Sequence, residues 1–193
     1  MSATKDNIIT LPHPDLRKKS QRVHVITEET RSIIQDMRDA MIDWEDSRPH
    51  EIAVALAAVQ IDHLERIVIV REDFDDKDNR NYAVLINPEI VKTEGVPTVI
   101  QPEGCLSVKD VYGKVKRFPK IRVKALNEDG YEIRIRADGF LSMLLQHEID
   151  HTNGICFVDH IKDQPDAFFL LTTEGDLEPL AYEKVLQAGI FRD

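Results

Sequence analysis

The segment His147-Glu148-Ile149-Asp150-His151 sets two imidazoles four positions apart, with a carboxylate beside the first. On a helix, positions i and i+4 lie above one another on the same face, so both rings can reach a single divalent ion. Glu148 would then stand where it can take a proton from an acidified water and return it to a leaving amine. That is the chemistry of a metal-dependent hydrolase. The same five residues would also suit a buried amphipathic helix that holds no ion. An open tetrahedral site needs a third protein ligand, and Cys105 is the candidate. It lies in Gln101-Pro-Glu-Gly-Cys-Leu-Ser107, where Gly104 lets the backbone turn closely and set the sulfur against a facing helix. Alone, Cys105 would read as a small buried hydrophobe; beside an ion and two imidazoles it would bind as thiolate. Cys156 has apolar flanks and is expected to pack in the core. His13, His24, His50, His63 and His160 stand singly in polar or turn-like contexts, and each is expected to be a surface or structural residue.

The elements that must position these groups can be read from periodicity. Ile33, Ile34, Met37, Met41 and Trp44 fall at helical spacing between Thr27 and Trp44, with Thr27 as cap and acids in the first turn. The apolar stretch Ile52 to Ile61 has no decisive period. Ile67 to Val70 and Tyr82 to Ile86 read as short buried strands separated by an Asp-rich loop, and Asn87-Pro88 is expected to turn the chain. Ile121 to Leu126 and Tyr131 to Ile135 alternate apolar and charged residues across Asn127-Glu-Asp-Gly130, as in a hairpin with one solvated face. Leu141, Leu144, Leu145 and Ile149 follow a helical period after the start signal Asp138-Gly139, so the histidine motif lies on a helix from Phe140 to His151. Strands preceding one buried helix indicate an α+β domain.

At 193 residues and 42% hydrophobic the chain can bury one good core, and residues 1–193 are expected to form a single domain. Thirty-five acidic against 25 basic side chains, a net charge of -10, disfavour a grip on nucleic-acid phosphates or anionic membranes. The first residues lack a signal-peptide core and no apolar run approaches a membrane span, so a cytoplasmic protein is expected. Two cysteines allow at most one disulfide, which a cytosolic chain of this size does not need. From Asp163 to Asp193 the C-terminal segment carries seven acidic against two basic residues. It is either a solvated tail or a short helix that folds back through Leu180, Val185, Leu186 and Ile190.

Three blocks in order, an Ala-rich segment ending in Gln60, then Glu-Gly-Cys-Leu-Ser, then Gln-His-Glu-x-x-His, resemble the motifs of the peptide deformylase family. Pro12 with Asp15-Leu-Arg17, Leu85-Ile-Asn-Pro-Glu89, the Arg117 region, and Gly154 with Phe157 and Asp159 extend the resemblance over most of the chain. It implies mixed and antiparallel sheets around a central HExxH helix, and removal of the formyl group from formyl-methionyl nascent peptides. It implies one divalent ion, Fe(II) or in some members Zn(II), on Cys105, His147 and His151, with Glu148 as the catalytic carboxylate. Gln60 and the backbone amide of Leu106 map to the oxyanion donors, which is what a developing charge on the formyl oxygen requires.

Three departures stand out. The first motif usually reads Gly-x-Gly-Leu-Ala-Ala-x-Gln and here reads Ala53-Val-Ala-Leu-Ala-Ala-Val-Gln60, so two added methyls bear on substrate fit. That leaves open a metal-dependent amidase for another N-acyl peptide, or a binder of blocked N-termini that does not turn them over. Tyr112 stands where the family often has arginine. The acidic C-terminal segment is unlike the basic helix with which some bacterial members dock on the ribosome, so a transient ribosome association has little support.

Overall fold

The computed structural model describes residues 2–48, 51–173 and 175–191; His50 and the terminal pair Arg192 and Asp193 lie outside them. Helix α1 spans Glu28–Asp46. Thr27 Oγ1 accepts from the Thr30 N–H at 3.3 Å, the Thr27 N–H donates back to Thr30 Oγ1 at 3.2 Å, and Glu28 and Glu29 complement the positive end of the helix. Its buried stripe runs through Ile33, Ile34, Met37, Ala40 and Met41.

A five-stranded antiparallel sheet has the order β1-β2-β3-β8-β9, formed by Ala55–Ala57, Ile67–Arg71, Tyr82–Glu94, Lys120–Leu126 and Glu132–Asp138. Helix α1 packs on one face of its β1 and β2 end, and helix α2, Gly139–His151, packs against the other face. Strand β2 is therefore buried at every position, which explains its unbroken apolar run. Strand β8 has helix cover on one face only, and its residues alternate buried and exposed as expected for half-solvated pairing. Asn127 Oδ1 accepts from the N–H groups of Asp129 and Tyr131 to close the β8–β9 hairpin.

Asn87-Pro88 does not turn the chain. β3 runs on to Glu94 through an irregularity in its pairing with β8 between Ile86 and Glu89. Pro88 has no N–H to give a ladder and is tolerated at such a bulge. Asn87, at φ +55°, exchanges two hydrogen bonds with the backbone of Val23, at 2.9 and 2.8 Å. Tertiary partners thus replace the turn that the dipeptide suggests. The undecided stretch Ile52 to Ile61 divides into β1 and a 3-10 turn, Ala58–Ile61.

A second sheet, β11-β10-β6-β5, comprises Leu177–Pro179, Phe168–Leu171, Val108–Gly113 and Glu103–Cys105; Thr98–Val99 (β4) and Lys116–Arg117 (β7) pair separately. The C-terminal segment is not a loose tail. β10 pairs with β6, and helix α4, Tyr182–Gln187, buries Val185 beside Ile190, Phe168 and Phe157, the last from the short helix α3, Phe157–His160. Leu186 faces outward and is 54% exposed.

Candidate metal and catalytic site

Helix α2 is pinned before it presents its ligands. Gln146 Nε2 donates to the Phe118 carbonyl at 2.9 Å, its Oε1 accepts from the Phe118 N–H at 3.1 Å, and Ser142 Oγ donates to the same carbonyl at 2.8 Å. One turn of helix is thereby locked to the residue after Arg117, with His147 and His151 edge to face on the buried side at a ring separation of 4.9 Å. His147 Nε2 lies 3.2 Å from His151 Nε2, which lies 3.2 Å from Cys105 Sγ. Cys105 closes β5, and the pairing of that strand with β6 bulges between Gly104 and Cys105. Gly104 is required there by space, since a β-carbon would sit 2.6 Å from the Tyr112 ring.

Glu103 fixes the tautomer. Burial raises its carboxyl pKa, but hydrogen bonds from His147 and Arg117 outweigh this and hold it at about 2. An ionised Glu103 Oε2, 2.8 Å from His147 Nδ1, must accept a proton from it, which leaves the Nε2 lone pair facing the other two donors. Burial disfavours charge on both imidazoles; Cys105 and Glu103 push His147 back up, whereas His151, beside His147, stays well below the ordinary histidine range. A thiol sulfur and two imidazole nitrogens turned toward one point form a donor set that fits a divalent cation. Tetrahedral bonds of the usual length would set such donors about 3.3–3.6 Å apart, close to the separations seen.

Glu148 is 3% exposed, and its Oε2 is buried with no hydrogen-bond partner among the described residues. Burial pushes its carboxyl up to about 7, against the pull of His147 and Arg117. A carboxyl that can exchange a proton near neutrality is suited to general acid–base work. Gln60, on the turn after β1, uses its Oε1 to accept from the Ala57 N–H at 2.9 Å. Its Nε2 therefore points inward, 3.1 Å from Ser107 Oγ and 3.6 Å from Cys105 Sγ. Leu106 follows Cys105 at the tip of the β5–β6 hairpin. Of the six residues singled out in the sequence, five belong to α2 and the hairpin, and the sixth, Gln60, reaches the hairpin from the turn after β1.

Cys156 is fully buried and unbridged, and burial raises its pKa, so it stays a packed thiol. Ala53 and Ala55 both lack the positive φ at which an added β-carbon is costly. Their methyls are buried on opposite faces of the sheet, Ala53 toward α1 and Ala55 toward α2. The two alanines therefore leave the backbone of the first motif undistorted.

Sequence reasoning missed the supporting charges. Arg117 grips Glu103 through Nε at 2.8 Å and Nη2 at 3.0 Å, and its Nη1 reaches Asp150, which His160 Nε2 also approaches at 2.7 Å. His160 is thus tied to the ligand helix through Asp150. No local signal marked them, since Arg117 stands in Lys114-Val-Lys-Arg-Phe118 and Glu103 between Pro102 and Gly104, stretches that read as exposed.

The sequence model for polypeptide deformylase matches residues 5–166. A peptide deformylase of Halothermothrix orenii is 45% identical over 148 residues, 77% of this chain and 88% of that protein. One from Thermomicrobium roseum is 41% identical over 160 residues, 81% and 86% respectively. Among solved structures, a peptide deformylase from Legionella pneumophila superposes with a TM-score of 0.73 at 34% identity, covering 97% of this chain and 93% of its own. One from Synechococcus elongatus in complex with actinonin gives 0.69 at 33% identity, with 79% and 76% covered. A match over most of the chain, joined to a donor cluster on the expected helix and hairpin, establishes that this chain belongs to the polypeptide deformylase family.

Proposed function

We propose that this chain hydrolyses the formyl amide of formyl-methionyl nascent peptides, releasing formate and a free N-terminus. The observation that supports it best is the convergence of Cys105 Sγ with the two Nε2 atoms, on the helix that also carries Glu148, whose buried Oε2 has no partner among the described residues. Cys105, His147 and His151 would hold one divalent ion, which when bound supplies Lewis acidity for the carbonyl and lowers the pKa of water. Fe(II) is our assignment, and Zn(II) satisfies the same donors.

Glu148 takes the proton of the attacking water and delivers it to the departing amine. Gln60 Nε2 and the Leu106 N–H donate to the oxygen on which negative charge develops. Ser107 Oγ and Ala57 hold the Gln60 amide in the donating orientation, so no rearrangement is needed when the charge appears. Arg117, through Glu103, keeps His147 turned inward.

The test is formate release from formyl-Met-Ala-Ser compared with amine release from its acetylated counterpart by protein purified anaerobically, with metal analysis on the same sample. Turnover of the acetyl peptide alone would indicate an amidase for another acyl group, and affinity without turnover a binder of blocked N-termini. The ordinary backbone at Ala53 and Ala55 favours the formyl reading over both. No described helix is long and apolar enough to cross a membrane, and we place the activity in the cytoplasm. Ribosome association is a separate matter, decided by co-sedimentation.

A further inference from the structure

The two imidazoles of the donor cluster are held in different ways. His147 has its ring fixed from behind, by the Glu103 carboxylate on Nδ1. His151 is fully buried, and its Nδ1 has no hydrogen-bond partner among the described residues. The aim of that ring is therefore set by the backbone that carries it. His151 is the last residue of α2, in the turn where helix carbonyls run out of partners within the helix and fraying begins. Its direction depends on whatever holds this end from outside.

Arg66, the residue before β2, is 9% exposed and makes that connection. Its Nη1 donates to the Thr152 carbonyl at 3.2 Å and to Asn153 Oδ1 at 2.9 Å, and its Nε donates to the Pro88 carbonyl at 3.1 Å. Asn153 passes the contact back to the last turn of α2, since its Nδ2 donates to the Ile149 carbonyl at 3.0 Å. The backbone of Arg66 is itself fixed, its N–H on the Gln21 carbonyl and its carbonyl on the Asn87 N–H, each at 2.8 Å. One side chain thus ties the end of the ligand helix to the bulge of β3. Its three acceptors are uncharged, and the negative end of the α2 dipole favours a cation at this place. Nothing in the reaction as derived above uses Arg66.

We infer that Arg66 is the positioning residue for His151: by gripping Thr152 and Asn153 it fixes the last turn of α2, and with it the direction in which His151 Nε2 faces Cys105 and His147. Each of the two histidines is then aimed by an arginine, His147 by Arg117 through the Glu103 side chain and His151 by Arg66 through the helix backbone. The inference rests on the metal assignment of Cys105, His147 and His151, and it adds the group that holds the one ligand ring with no side-chain support of its own.

The experiment measures Zn(II) affinity of the full chain by chelator competition in the native protein, Arg66→Met and Met37→Ala. R66M should bind Zn(II) about tenfold more weakly, the lower end of the loss seen when a group supporting a metal ligand is removed. M37A empties a buried position under α1, away from the cluster, and should keep the native affinity despite its lower stability. Loaded with Co(II), R66M should show shifted visible d–d bands while the thiolate charge-transfer band of Cys105 persists. Native affinity or unshifted bands in folded R66M would overturn the inference, and so would an equal loss of affinity in M37A. If R66M does not fold, Arg66→Lys decides in its place. It keeps the charge without the planar fork that spans three acceptors, so a loss of about threefold is expected and native affinity would overturn the inference. Failure of the metal reading looks different, because then the native protein itself yields its Zn(II) to the chelator.

Discussion

Two buried arginine–glutamate pairs serve different masters. Arg117 holds Glu103, and Glu103 holds the imidazole of His147, so that pair ends on a side chain whose lone pair faces the donor cluster. Arg71 holds Glu45, and both end on the backbone of Ala53. The Arg117 pair is satisfied on both carboxylate oxygens, whereas Glu45 Oε1 is buried without a partner among the described residues. A buried pair gains little over apolar packing but is costly to break. What such a pair contributes is therefore fixed by what it positions, and the two should separate when each is broken.

The largest expected effect is common to both. Arg117→Met leaves Glu103 and Asp150 buried without their cation, and Arg71→Met does the same to Glu45, so each should lose about 3–5 kcal/mol in urea unfolding. Metal content distinguishes them. Per folded chain it should fall in R117M and stay at the native value in R71M; equal metal loss in both would erase the proposed division of labour.

Next in size is Gln60→Ala, which removes an oxyanion donor and should lower kcat by about 10²- to 10³-fold with metal retained. Because Gln60 sits beyond the segment that Arg71 anchors, R71M assayed well below its melting temperature should not reproduce this loss. A similar fall in kcat would mean that the Ala53 clamp also sets the oxyanion donor. A smaller effect should follow Glu103→Gln, which keeps the shape but weakens the hold on His147 Nδ1. Chelator competition should then give an affinity about 10- to 100-fold lower.

The donor cluster was legible because its spacing is local: an i, i+4 pair needs only a helical period, which Leu141, Leu144, Leu145 and Ile149 supply. Cys105 was legible only through its company, since without the two histidines and the neighbouring motifs it reads as a packed thiol. Helix α1 and the β8–β9 hairpin announced themselves by their caps and turns. The strands β5, β6, β10 and β11 were not readable, because they are short and β10 pairs with β6 across as many as 59 positions, as Leu170 does with Val111. The Asn87 bulge depends on Val23, 64 positions away. Glu45 offered a signal that went unused. It stands four residues after Met41 on the apolar stripe of α1, and a carboxylate in such a place requires a buried partner. Arg71 read as the first residue of the charged loop after Ile67 to Val70, yet it ends β2 and is among the largest fully buried side chains.

The smallest effect provides the sharpest test of the comparison. E45M/R71M removes both charges together, so it avoids the unpaired carboxylate that R71M creates and should be more stable than R71M by about 1–3 kcal/mol, a coupling that a double-mutant cycle in urea measures. It should not regain native stability, since the carbonyls of Ala53 and Asn79 also lose a donor. The corresponding apolar double, E103M/R117M, would gain the same relief in unfolding yet leave His147 Nδ1 without its acceptor, so its metal affinity should stay low. Stability recovering in both doubles while affinity remains impaired in one alone is the signature of two similar pairs with different cargo. If affinity recovered along with stability in E103M/R117M, the Glu103 contact would be packing and nothing more.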